Sequence, residues 1–386
     1  MRLTPLLAAA SAFALFACAP ASDSVETANG NASVSPGSAE ANGRPFQVEE
    51  LGRFDAPWAM TFLPGGEQAL VTEKGGRLLL WSRGGRVEVA GVPRVDAGGQ
   101  GGLGDVVLHP DFAQNRMVYL SWAEAGDGDT RGAVVGRARL VTDGGAARLE
   151  GMQIVWRQAP KVEGRGHYGH RIAFGPDGKL YIASGERQKF DPAQDMSGNL
   201  GKVVRLNDDG SVPSDNPWAN LGGVTAQIWT LGHRNPLGLA FDGDRRLWVI
   251  EMGPKGGDEL NLIQRGRNYG YPIVSNGDHY DGRPIPDHPT RPEFEAPKVD
   301  WTPVISPGNM IFYTGTMFPA WRGDVLVAGL SSEALVHVDV QGTNAREAHR
   351  YPMGERIREV EQAPDGSIYL LEDGENARLL RLTAVQ

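Results

Sequence analysis

The sequence predicts an all-β chain folded as a six-bladed β-propeller of four-stranded antiparallel sheets. Three observations carry that expectation. A strand–turn–strand unit recurs six times. No segment of a dozen or more residues shows helical periodicity. Glycine is abundant, with 52 among 386 residues and no strict period, which excludes collagen and suits crowded inner strands beside a central channel. The copies lie roughly 45 to 70 residues apart, a spacing that suits one four-stranded blade with variable loops. A two-sheet sandwich would not need six similar units. With 40% apolar residues, the chain can bury a large core.

Taken in order, the chain begins with an export signal over residues 1–18. Arg2 precedes an apolar stretch too short to span a bilayer comfortably, ending in Ala17 and Cys18. Cys18 is the single cysteine, so no intrachain disulfide can form. Its place after Leu15, Phe16 and Ala17 resembles a bacterial lipoprotein cleavage site, where the new N-terminal Cys would tether the protein to a membrane. The alternative is ordinary cleavage after Ala19 or Ala21, leaving a soluble exported protein. Both readings put the mature chain outside the cytoplasm, in the periplasm. Residues 19–45 hold almost nothing that could be buried and read as a flexible linker. The propeller is expected over 46–386.

The six units are Phe62–Val71, Val106–Leu120, Ile172–Ile182, Leu239–Ile250, Met310–Ala328 and Val360–Leu371. In each, an apolar run meets a turn rich in Pro, Gly or Asp. A second run of β-branched or aromatic character follows. Further hairpins fill the gaps, such as Arg77–Trp81 with Val87–Val89 across Gly84 and Gly85. The net charge of −9 without any Lys/Arg-rich run shows no nucleic-acid footprint.

Chemistry-bearing residues gather just before these units. His167 and His170 precede the third. Histidine is the natural general base near neutral pH, and turn, surface or shared metal-ligand roles are the alternatives. Three apart in a strand, at most one is expected to face a site. Gln100 stands among glycines before the second unit, where an amide can approach a ligand closely. No helix follows it, so this is no phosphate loop. Arg234 and Asn235 precede the fourth unit, and Arg offers planar donors to carboxylate or quinone oxygens. Arg356 and Arg358 share a strand face before the sixth and suit an anion. The Gly253, Pro254 and Glu259 segment suits calcium, which accepts carboxylates and backbone carbonyls. All these positions are expected at one end of one channel.

On these residues the chain resembles the soluble quinoprotein sugar dehydrogenases, the glucose/sorbosone dehydrogenase-like proteins that include the aldose sugar dehydrogenases. The most specific stretches are 99–112, 166–178, 200–217, 233–239, 253–259 and 356–358. The resemblance implies a propeller binding pyrroloquinoline quinone (PQQ) and calcium. It implies His167 as general base, Arg234 and Asn235 at the quinone C5 oxygen, and Gln100, Arg356 and Arg358 as cofactor contacts. It further implies Gly253 and Pro254 carbonyls on the calcium beside PQQ. Glu259 and the Tyr269 carbonyl fall on a second calcium, with Asp278 a further candidate. The implied reaction moves hydride from C1 of an aldose to C5 of PQQ. The sugar leaves as a lactone and the electrons pass to an external acceptor, a quinone or cytochrome. One departure stands out: Ser331 occupies a position where the family often has a Lys reaching a PQQ carboxylate. A calcium-dependent lactonase-type hydrolase and a non-catalytic propeller binding glycans or protein are the competing readings.

Overall fold

Each repeated unit forms the two innermost strands of a blade, because its β-branched and aromatic runs pair across the turn that Pro, Asp and Gly close. The computed structural model describes residues 43–385; the export segment, Cys18 and linker residues 19–42 lie outside the described residues. The innermost strands are Pro57–Phe62, Leu103–Leu108, Gly169–Phe174, Pro236–Phe241, Pro307–Phe312 and Ile357–Gln362. Every one is antiparallel to the next strand in the chain. In the turns of the third and sixth blades the carboxylates of Asp177 and Asp365 accept the N–H two residues on, at 3.1 and 2.9 Å. Gly178 and Gly366 then take φ of +72° and +82°, open to glycine at no steric cost.

Six blades result, and the ring closes on itself. Strand Phe46–Phe54 pairs with Ala377–Ala384 as the outer strand of the sixth blade, so the first and last strands among the described residues share one sheet. Each seam between blades is a separate apolar cluster. Trp58 and Leu70 pack against Leu103 and Leu120 in one, and Phe46 and Trp321 against Leu370 and Leu380 in another. Burial of such side chains is the main stabilising term. One feature differs from the expected independent blades. The outer strands Gly85–Ala90 and Ala146–Arg157 pair in parallel through Val89 and Ala147, joining the first two blades into one sheet. The 12-residue Ala146–Arg157 strand is long enough to reach the neighbouring edge and covers what would be an open row of N–H and C=O groups. Among the described residues the single α-helix is Phe112–Asn115. None is long and apolar enough to cross a membrane.

Arg171, on the innermost strand of the third blade, reaches the other five blades. Its guanidinium lies 3.9 Å over the ring of Trp58 in the first blade. It donates to Asp105 of the second at 3.2 Å, to the Leu237 carbonyl of the fourth at 2.9 Å and to the Gly308 carbonyl of the fifth at 2.7 Å. It pairs with Glu359 of the sixth at 2.7 Å. Two long connections, residues 185–201 in the third blade and 263–298 in the fourth, wall the site described next. Buried Lys202 holds the first of them by donating to the carbonyls of Pro192, Ala193 and Leu200 at 2.7, 3.0 and 2.7 Å.

Candidate active site

The loops that lead into the innermost strands converge around a cavity of about 280 Å³ at one end of the channel. Gln100, Asn235, Arg356 and Arg358, four of the residues singled out in the sequence, line it together with Lys74, Trp58, His170 and Asp373. Arg356 and Arg358 both pair with Asp373, at 3.0 and 2.9 Å. Lys74 adds a third cation. Three cations around one carboxylate leave a surplus of positive charge facing the cavity.

His167 and Arg234 line an adjoining pocket of about 250 Å³, open toward Phe190, His279 and Tyr280. His167 is buried and held from both sides. Its backbone N–H donates to Gln100 Oε1 at 2.7 Å, and its Nδ1 lies 2.5 Å from Glu186 Oε1. Glu186 is fully buried; its other oxygen accepts the N–H groups of Lys189 and Phe190. With Nδ1 donating to Glu186, the Nε2 lone pair is left to act as base. Burial lowers the pKa of His167. The Glu186 hydrogen bond opposes this, Arg234 adds to it, and the net effect is to favour the neutral imidazole. Burial raises Glu186, but its bonds to His167 and Phe190 outweigh that and keep it ionised. Gly185 lets the His167 backbone approach, since a Cβ there would stand 2.1 Å from the His167 carbonyl oxygen.

His170 departs from the alternation expected of a strand. It also lines a cavity, because His167 and His170 both adopt left-handed φ, +49° and +54°, and the strand register shifts between Gly169 and Ile172. Its Nδ1 lies 2.8 Å from Ser121 Oγ, and its ring stacks on Trp58 at 4.8 Å. Burial pushes its pKa down to about 3, so it serves as a neutral wall.

Arg234 is buried. Its guanidinium donates to the carbonyls of Met252 at 3.0 Å and Gly253 at 2.5 Å, and reaches Tyr280 Oη at 3.5 Å. Its Nε has no hydrogen-bond partner among the described residues. The backbone N–H of Arg234 is fixed by Glu251 at 2.7 Å, and that carboxylate also takes Nδ1 of His233 at 2.8 Å. Asn235 Oδ1 accepts the Gly169 N–H at 3.2 Å.

Gly253, Pro254, Glu259 and Tyr269, which the resemblance divides between two calcium ions, line one small cavity with Glu251 and Arg234. Its volume, about 10 Å³, matches a single ion or water. Asn261 Nδ2 bridges Glu251 and Glu259 at 3.1 Å each, and Asn261 Oδ1 is without a partner among the described residues. Burial raises the pKa of Glu259; His288, 3.4 Å away, opposes this and Glu251 adds to it. Asp258 holds the Gly253 N–H at 2.8 Å and those of Ile305 and Ser306 at 2.9 and 2.6 Å, fixing the loop. Asp278 does not line this cavity; its carboxylate accepts the Ile285 N–H at 3.2 Å. Among the described residues no group of three or more His, Cys, Asp or Glu side chains forms a metal cage. A cation here would therefore depend on backbone carbonyls, as calcium permits. Ser331 is exposed, bonds the Val304 carbonyl at 3.2 Å, and does not line the cofactor-sized cavity.

Sequence reasoning missed Glu186, Arg187, Lys74 and Asp373. Arg187 is buried and donates to the carbonyls of Gly166, Arg131 and Gly164, pinning the His167 loop. A usable signal was present: Glu73, Glu251 and Glu372 each close the second strand of a blade, and Glu186 follows the equivalent strand by two residues. Each of these carboxylates fixes a backbone N–H of a nearby segment. Strain marks the same place. Of eleven non-glycine residues with positive φ among the described residues, five lie within 167–190, and such backbone clusters at functional sites.

The sequence model of the glucose/sorbosone dehydrogenase family matches residues 54–381. Among curated proteins, the aldose sugar dehydrogenase YliI of Escherichia coli (strain K12) is 39% identical over 340 residues, covering 86% of this chain and 91% of that protein. Among solved structures, the apo form of the soluble aldose sugar dehydrogenase of Escherichia coli aligns at a TM-score of 0.83 and 39% identity, over 88% of this chain and 100% of that one. The PQQ-bound aldose sugar dehydrogenase of Streptomyces coelicolor aligns at a TM-score of 0.72 and 29% identity, over 89% of this chain and 100% of that one.

Proposed function

The chain belongs to the glucose/sorbosone dehydrogenase family and is a sugar dehydrogenase on a six-bladed propeller, and from that premise we propose that it oxidises aldoses at the anomeric carbon to lactones, using PQQ and calcium. We further propose that it hands the electrons to an external acceptor outside the cytoplasm. Membership in a dehydrogenase family sets aside the hydrolase and the non-catalytic propeller. The observation that carries the proposal is the His167–Glu186 pair, poised as a neutral base beside a cavity with surplus positive charge.

The residues present fit the cofactor. PQQ is planar and carries three carboxylates, and the cavity offers Lys74, Arg356 and Arg358 with the flat ring of Trp58 in its lining. The ion-sized cavity with Glu259, Glu251 and the Gly253–Pro254 backbone fits one hard cation. When bound, PQQ supplies the two-electron acceptor for the C1 hydride and calcium polarises the quinone. The protein's own part is to hold the sugar and to move one proton. Tyr280, 74% exposed, and Phe190, 42% exposed, flank the mouth of the pocket and suit the apolar face of a sugar ring. His167 Nε2 takes the proton of the anomeric hydroxyl while Glu186 stabilises the imidazolium that forms. Arg234, buried and lining both the His167 pocket and the ion-sized cavity, favours negative charge developing beside it.

Purified protein should reduce an artificial dye with aldoses only after addition of PQQ and Ca²⁺, and should lose that activity to a calcium chelator. A panel of aldoses with the reconstituted protein tests this. Absence of both a PQQ absorbance change and dye reduction would falsify the assignment.

A further inference from the structure

Lys74 follows strand Gln68–Glu73 in the first blade, far in sequence from every other cation of the cofactor-sized cavity. We infer that Lys74 binds a carboxylate of the tricarboxylate cofactor. The inference rests on the proposed function.

Two observations at Lys74 carry it. Its ammonium donates to the Gly99 carbonyl at 3.0 Å, a neutral acceptor, and no carboxylate lies within ion-pairing distance of it among the described residues. Arg356 and Arg358, by contrast, share Asp373. The lysine is also held in place by its backbone. Its N–H donates to the Ala56 carbonyl at 3.0 Å and its carbonyl accepts the Leu103 N–H at 3.1 Å. Gly102 packs so closely that a Cβ there would sit 2.2 Å from the Lys74 carbonyl oxygen. Burial, with Arg358 adding to it and Asp373 opposing it, lowers the pKa of the ammonium, a cost that a bound anion would relieve. On the other side, Ser331 is turned away onto the Val304 carbonyl, and only its neighbour Leu330 lines the cavity. The cavity thus keeps a third cation, delivered from a different blade.

The test is binding of PQQ itself, followed by quenching of tryptophan fluorescence in the calcium-loaded protein without sugar. Lys74→Met should weaken PQQ binding roughly 10- to 100-fold, the loss expected for one charge-assisted contact. Lys74→Arg should stay within a few-fold of wild type. Adding Ser331→Lys to Lys74→Met should recover most of the lost affinity. Thermal melting of the apo proteins checks folding; if Lys74→Met melts early, the Lys74→Arg and Lys74→Gln pair decides by the same comparison. A wild type that binds PQQ, with charge-removing variants binding equally well, overturns the inference alone. A wild type that binds no PQQ overturns the functional reading beneath it.

Discussion

His167→Ala should lower kcat roughly 100- to 10,000-fold, the range for removing a general base, while the protein still binds PQQ. The imidazole contributes no charge to the cavity that carries Lys74, Arg356 and Arg358, so cofactor affinity should change little. Glu186→Gln should also slow turnover, because an amide can hold the wrong tautomer and cannot stabilise the imidazolium. The pH profile separates the two roles. His167 titrates below the usual histidine range, so wild-type kcat/KM should hold through neutral pH and fall only on acidification. The Glu186 hydrogen bond raises that pKa within its lowered total, so Glu186→Gln should move the acid limb lower still. Stopped-flow turnover across pH checks both. Undiminished activity in His167→Ala would mean that another group takes the proton.

Arg171→Met should destabilise the fold by about 3–5 kcal/mol, the cost of breaking a buried pair and stranding its partners. The change leaves Asp105 and Glu359 buried without their cation and frees two carbonyls. Arg171→Lys should recover only part of this, since an ammonium cannot serve five blades at once in the geometry of a planar fork. Urea unfolding midpoints measure the effect. Burial pushes Glu359 up to about 8 against the pull of Arg171. Raised above its ordinary value of 4.5, this group stabilises the fold fully below pH about 4.5 and loses that contribution as pH rises through about 8. The deficit of Arg171→Met should therefore narrow on acidification. A variant as stable as wild type at pH 8 would show that the hub is dispensable.

Much of the ring could be read from local chemistry. The six hairpins announce themselves because Pro-Asp-Gly turns sit between short β-branched runs, and both signals lie within about a dozen residues. Gln100, His167, Arg234 and the Arg356–Arg358 pair were visible because each precedes such a hairpin. What escaped depends on partners from other blades. Arg171 was in plain sight at the start of the third hairpin, yet nothing local says that it reaches five neighbours. Lys74 reads as an ordinary turn residue until the second and sixth blades close around it. Glu186 is one carboxylate among many until the loop that carries Arg187 folds it against His167. The strand-to-strand contact of the first two blades was hidden for the same reason, because a two-residue parallel pairing leaves no periodic trace.

The layer around Arg171 also lines a second cavity. The cavity on the His170 side of Trp58 and the larger one lined by Asp105, Arg171 and Glu359 share no lining residue. On the proposed reaction, sugar would enter on the side of His167 and Tyr280. An acceptor that used the same mouth would have to wait for the sugar product to leave. In that case an excess of sugar should slow its own oxidation, which initial rates over rising aldose concentration would show.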